Sequence, residues 1–400
     1  MVRFVEPKLQ RDGRYWMAPS EVARRWDIVG IAHAALRALR DTCSASIDAL
    51  QQPSTSASLT SILASQSRPT LAVLHKDFQS LLTLTYTSTT KLTLVLRPSE
   101  PAPIAALAPI KDLGTSITSL AACATLFYIH GGTLASEIRL LARDVIDAVR
   151  SLASMFMEDA GVDYLVRTGA VHDTIEKARR ELPADNLTAV KKRWKADRGM
   201  LEDSLEEING MLEDDDQGED DLEGDELDDE WDELGFGSIK KMSETELACT
   251  KKAQPLARFV TLFHKRAGLD VLGALPSSPS DPDALNQALD ALPPLSSSVV
   301  IALEDLVAAL YAPQKLNAIA ASVSSLVDLT RAVHASITVD MLIPPRDLEK
   351  EMDALSIGGV KGGGEQAKGP RKWFDSCLIQ IDKSAKAVDE MLKKEVMNGT

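Results

Sequence analysis

Residues 133–156 read TLASEIRLLARDVIDAVRSLASMF. Leu134, Ile138, Leu141, Val145, Ala148, Leu152 and Phe156 recur at steps of three or four, which gathers them on one face of a helix with 3.6 residues per turn. Immediately upstream stands Gly131-Gly132, and before it another run of the same period, Ile110, Leu113, Ile117, Leu120, Ala124 and Phe127. A glycine pair joining two such stripes predicts two helices that fold back antiparallel on each other.

The pattern continues outward in both directions. On the N-terminal side, Val22, Trp26, Val29, His33, Leu36, Cys43, Ile47 and Leu50 form a seam of heptad type opening after Pro19-Ser20, with Ser20 as the expected cap. Leu71, Leu74, Phe78, Leu81, Thr85, Ser88, Leu92 and Val95 keep the period, although TLTYTSTTKLTLVL also alternates like a strand, and its neighbours favour the helix. Downstream, a fifth helical region breaks at Pro183 and resumes through Leu187, Val190, Trp194, Leu201, Leu205, Ile208 and Leu212. Ser243-x-x-Glu246 has the form of a capping box and opens a helix running to about Gly268 despite Pro255. Leu275 to Pro294 reads as linker with at most a short helical insert. Two further stripes follow, Val299 to Leu310 and Leu316 to Ile337, separated by Pro313. After a Gly-rich stretch, Gly358 to Gly369, the last stripe is Phe374, Cys377, Ile381, Ala385, Val388 and Leu392. The fold class expected is all-α: antiparallel bundles of long amphipathic helices with a disordered acidic insertion.

That insertion is EDDDQGEDDLEGDELDDEWDE, Glu213 to Glu233. Its fifteen carboxylates and no basic residue equal the formal charge of the whole 400-residue chain, −15, so everything outside it is balanced. A segment this self-repelling, with so few apolar side chains, cannot bury enough surface to offset ordering its backbone. The organisation expected is a helical bundle over 1–212, a disordered acidic tether over 213–241, and a helical region over 242–400 packing with or beside the first. Within and beside the tether, Leu222, Leu227, Trp231, Leu234 and Phe236 punctuate the carboxylates. Two readings stand. Asp228, Asp229, Trp231, Asp232 and Phe236 could dock on a basic grooved partner, charge speeding encounter and Trp231 supplying buried area. Alternatively the tract is a solvated spacer. Ser278-Pro279 is a candidate site for proline-directed phosphorylation.

Composition narrows the function. Aromatic residues make up 4% of a chain that is 44% hydrophobic, so aliphatic side chains must fill the cores, which suits close helix packing. A pI near 5.0 argues against direct gripping of nucleic acid phosphates. The charge-free run Gly114 to Ser136 reads as a core helix rather than a membrane span, because hydroxyls, His130 and the glycine pair interrupt it. Cys43, Cys123, Cys249 and Cys377 are isolated and read as reduced, buried thiols. The N-terminal residues lack a secretory apolar stretch, and an intracellular protein is expected. Six single histidines show no HExxH or helical pair. GGVKGGGEQAKG lacks the phosphate-loop spacing, and no GxSxG elbow is present. No catalytic, cofactor or metal residue is nominated, and a binding protein is expected.

The order of segments carries a resemblance. TSTTKLTLVL, SLAACATLFYIHGGTLASEIRLLARDVIDAVRSLASMF, the Pro183-broken helix leading into acid, and SSSVVIALEDLVAALYAPQKLNAIAASVSSLVDLTRAV together resemble the cyclin-D-interacting protein family, helix-loop-helix-like proteins without a basic region. The likeness covers roughly Leu74 to Ile337. It implies an all-α, non-enzymatic protein of cytoplasm and nucleus whose partner is a cyclin or a helix-loop-helix-type regulator, and which restrains cell-cycle progression or transcription. Three features depart from the family: the long seam from Ser20 to Leu50, the density of the acid tract, and the last helix after its Gly-rich linker. The alternative expectation, from the tract alone, is an acidic chaperone shielding basic clients such as histones or ribosomal proteins.

Overall fold

The computed structural model describes residues 19–52, 68–99, 101–158, 163–213, 242–276, 281–339, 341–343 and 370–398, with side chains between 30 and 395 of those stretches. All regular structure among them is helical: α1 (Pro19–Gln51), α2 (Leu71–Val95), α3 (Pro103–Leu126), α4 (Gly132–Met157), α5 (Tyr164–Glu181), α6 (Asn186–Glu213), α7 (Glu244–Arg266), α8 (Pro282–Asp290), α9 (Leu292–Leu310), α10 (Leu316–Ile337) and α11 (Pro370–Asn398). A 3-10 turn, Phe127–His130, extends α3, and a π-helical turn, Ala267–Leu272, extends α7. The chain divides into two compact units, Met1–Asp185 and Asn186–Thr400.

In the first unit α3 packs between α1 and α2, α2 against α5, α5 against α4, and α4 back against α1 and α3. Each apolar stripe therefore finds a neighbour on both flanks. Leu134, Ile138, Val145 and Leu152 of α4 are fully enclosed, as are Leu113, Ile117 and Leu120 of α3. The turn between these two helices needs its glycine, because Gly131 takes a φ of 135°, a conformation L side chains rarely adopt.

The Thr-rich α2 is a helix for a reason visible in its hydroxyls. Thr83, Thr85, Thr87, Thr90 and Thr93 each donate to the carbonyl four residues back, at 2.9–3.0 Å, so β-branched polar residues are satisfied within their own helix. Burial of Leu74, Phe78, Leu82 and Leu92 then outweighs the strand preference of Thr. Thr85 also reaches Ser116 of α3 at 3.3 Å, and Thr93 pairs with Thr168 of α5 at 2.9 Å.

The second unit centres on α6. This helix packs against α7, α9, α8 and the π turn, while α10 and α11 complete the enclosure by joining α9 to α7. Val190, Trp194, Leu201, Ile208 and Met211 of α6 share one continuous core with Phe263, Leu303, Leu326 and Phe374. The stripes read from sequence in α9, α10 and α11 are buried nearly throughout; Leu316 alone among them is half-exposed. The capping box at Ser243 forms, with Ser243 Oγ accepting from Glu246 N and Glu246 Oε2 accepting from Ser243 N.

Several expectations shift. The partition expected at Leu212 falls instead after Asp185. Leu182 is held extended (φ −61°, ψ 112°) ahead of Pro183, which ends α5, and the stripe of α6 then faces the second core. The expected disordered tether, apart from Glu213 at the end of α6, lies outside the described residues; the helices that flank it in sequence, α6 and α7, both belong to the second unit. Within α1, Ala32 rather than His33 enters the core, and in α2 Leu82 replaces Leu81. Helix α1 begins at Pro19, so Ser20 lies within it rather than before it. The expected linker holds α8, capped by Asp281 Oδ1 accepting from Ala284 N at 3.0 Å, and α9 starts two residues before its end with Pro293 and Pro294 in its first turn. Among the described residues two stretches, Pro103–His130 and Pro282–Leu310, are long and apolar enough to cross a membrane; in this fold they supply α3, α8 and α9, with 44% and 50% of their most apolar windows buried.

Phe78 has no exposed surface and meets Phe127 edge-on, ring centroids 6.1 Å apart. Phe78→Ala is expected to destabilise the first unit by about 3–5 kcal/mol, whereas exposed Leu84→Ala should stay within about 0.5 kcal/mol. Urea unfolding followed by circular dichroism checks this; equal losses for the two variants would show that the stripe assignment in α2 is wrong.

Candidate functional site

The residues nominated for partner binding, Asp228, Asp229, Trp231, Asp232 and Phe236, and the candidate phosphosite Ser278, lie outside the described residues. What the structure does define is the frame to which the acid tract is attached. Helices α6 and α7 are antiparallel neighbours: Trp194 Nε1 donates to the His264 carbonyl at 2.9 Å, Thr261 Oγ1 to that of Leu201 at 3.4 Å, and Gln254 Nε2 to Asn209 Oδ1 at 2.7 Å. The end of α6 and the start of α7, between which the tract runs, therefore belong to the same end of the unit.

That end is stiffened by polar contacts on α7 and on the turn between α9 and α10. Glu246, already engaged by Ser243, accepts through Oε1 from the backbone N–H of Gln314 at 2.8 Å. Gln314 Nε2 in turn lies 2.7 Å from the Leu310 carbonyl, 3.0 Å from Thr250 Oγ1 and 3.1 Å from the Glu246 carbonyl. The hydrogen bonds from Gln314 and Ser243 favour the charged form of Glu246 and lower its pKa from the ordinary value. Beside it, Tyr311 donates its phenolic hydrogen to Glu207 Oε1 at 2.6 Å, a bond that raises the Tyr311 pKa. The Ala312–Pro313 bond within this turn is cis. Glu246, Gln314 and Glu207 were not singled out by sequence as a group, because 68 and 104 residues separate the bonded partners.

A second polar cluster sits inside the same unit. Ser296 Oγ donates to Asp197 Oδ2 at 2.5 Å, and His264 Nε2 lies 2.7 Å from Ser296 Oγ. His264 stacks on Trp194, centroids 4.1 Å apart and planes within 5°. The Trp ring is held so close to α7 that a Cβ on Gly268 would come within 2.9 Å of Trp194 Cδ1, so glycine is needed there for space.

Serine, histidine and aspartate in mutual contact suggest nucleophilic catalysis, and the geometry argues against it. A hydroxyl has one hydrogen, and Ser296 gives its own to Asp197. The hydrogen between His264 and Ser296 then belongs to Nε2, making His264 a donor, with Nδ1 left without a partner. An activated serine requires the reverse, a histidine that accepts the serine hydrogen and is oriented by the carboxylate. Ser296 is also wholly enclosed. Burial, with a smaller contribution from the Arg198 charge, pushes the His264 pKa down to about 3. The cluster is a buried joint between α6, α7 and α9.

The remaining chemistry is equally structural. Burial drives the Cys43 thiol up to about 12 and those of Cys123, Cys249 and Cys377 up to about 11, so none carries thiolate at neutral pH. His172 stacks on Tyr86 at 3.9 Å and lies 3.2 Å from Thr90 Oγ1, joining α5 to α2. Among the described residues no group of three or more His, Cys, Asp or Glu is placed to hold a metal ion.

An all-helical protein emerges whose polar clusters hold helices together. Residues 77–214 match the family described as Grap2 and cyclin-D-interacting, N-terminal, and residues 227–335 match its C-terminal counterpart. Together these cover more than half of the chain, which belongs to the Grap2 and cyclin-D-interacting family. The N-terminal match takes in α6 to its last residue, although that helix is packed in the second unit. No curated protein matches the chain.

The His264 site makes a prediction with a defined sign. A histidine whose folded pKa lies near 3 against an ordinary 6.5 leaves stability intact above about 6.5 and removes it progressively as pH falls toward 3, where only the unfolded chain takes up the proton. His264→Gln should flatten the stability profile in that window. Ser296→Ala strands the imidazole and leaves Asp197 Oδ2 with only the longer bond from Ser297 Oγ at 3.4 Å, and should cost about 1–3 kcal/mol at pH 7. Urea midpoints from pH 4 to 8 test both; an unchanged profile in His264→Gln would mean that His264 takes up its proton alike in the folded and unfolded chain, and that burial does not lower its pKa.

Proposed function

We propose that this chain is a non-enzymatic regulatory binding protein that restrains cell-cycle progression or transcription by engaging a protein partner, a cyclin or a helix-loop-helix-type regulator. The family match running from residue 77 to residue 335 carries this reading, since it spans helices of both units. Cytoplasm and nucleus are the compartments in which such a partner would be met. Nucleic acid and membrane are not partners in this reading.

A helix face or groove carries the partner in this reading, and the tract adds to that contact. Trp231 and Phe236 are auxiliary anchors, and Asp228, Asp229 and Asp232 steer a basic surface toward them. Attachment between α6 and α7 supports that role, because the bonded turn at Glu246 and Gln314 gives the anchors a firm base. A second reading, an acidic chaperone for histones or ribosomal proteins, is favoured by one observation, the fifteen carboxylates in Glu213 to Glu233 without a single basic residue.

One comparison separates them. Deleting Glu213 to Glu233 leaves nine residues, 234–242, to rejoin neighbouring helices, about 30 Å of extended reach, so the second unit should still fold. In pull-downs from native extract at low and high salt, a regulator bound through the helices should survive both the deletion and the salt. Loss of every partner under either condition would make the tract the binding element and favour the chaperone reading. Trp231→Ala with Phe236→Ala sharpens the result: if the anchors bind, affinity for the captured partner should fall at least about tenfold while salt dependence persists. Unchanged affinity in titration calorimetry would reduce the tract to a spacer.

A further inference from the structure

We draw no further inference here: the strongest candidate, the exposed apolar patch of Leu94, Ile104, Leu165 and Val166 at the end of the first unit where α2 finishes and α3 and α5 begin, carries nothing because nothing in the structure shows what covers it.

Discussion

The burial of one face of α6 is the contact on which the second unit depends. Val190, Trp194, Leu201, Ile208 and Met211 meet α7, α8, α9 and the π turn, so this single helix touches most of the elements that enclose its core. Its polar residues are recruited to the same end. Asp197 anchors Ser296 of α9, Trp194 covers His264 of α7, and Glu207 holds Tyr311 beyond α9. Apolar burial supplies the driving force, and these few bonds fix which helix lies beside which. Because α6 also leads into the acid tract, the most charged stretch of the chain is attached to a well-buried helix.

Aliphatic packing with few aromatic residues explains how the rest is arranged. Helices lined by Leu, Ile, Val and Ala approach closely, and hydroxyl residues are tolerated between them when they bond back to their own helix. Helix α2 shows the limit of this tolerance: Thr85, Ser88, Thr89 and Thr93 are all buried, and Thr89 Oγ1 has no partner. Buried polar side chains of this kind add little net stability but penalise any other pairing of the helices. The same reasoning applies to Ser296 and His264, whose contact resembles catalytic machinery by residue type and differs from it in the direction of the hydrogen bonds.

Membership of the Grap2 and cyclin-D-interacting family and the separation into units do not follow the same boundary. The N-terminal family match ends at residue 214, next to the break that a reader of the sequence would choose, where helical pattern gives way to acid. The compact units divide at Asp185. A sequence segment and a folding unit differ here because a proline, rather than a change in composition, separates α5 from α6. The chain on both sides of Pro183 has similar periodicity, and only packing reveals that the two helices serve different cores.

By itself the sequence determined the elements. Stripes of period 3.6 in α10 and α11 named the core residues almost one for one, while that of α4 took in the half-buried Ala148 and Phe156 and missed Ile146 and Val149, and that of α9 missed Val300 and Val307; the glycine pair placed the turn after α3, and the spacing of Ser243 and Glu246 announced a cap. These are local properties, written within a few residues of where they act. The choice of Ala32 over His33, or Leu82 over Leu81, was not legible, since both members of each pair lie within the apolar arc and the neighbouring helix decides which one it covers. Tertiary structure alone decided that α6 joins the second unit, that Asp197, Ser296 and His264 meet, and that Glu246 holds the turn at Gln314. Partners separated by 32 to 99 residues in one case and 68 in the other leave no periodic trace, because a hydrogen bond between helices is set by their packing and not by the chain that connects them.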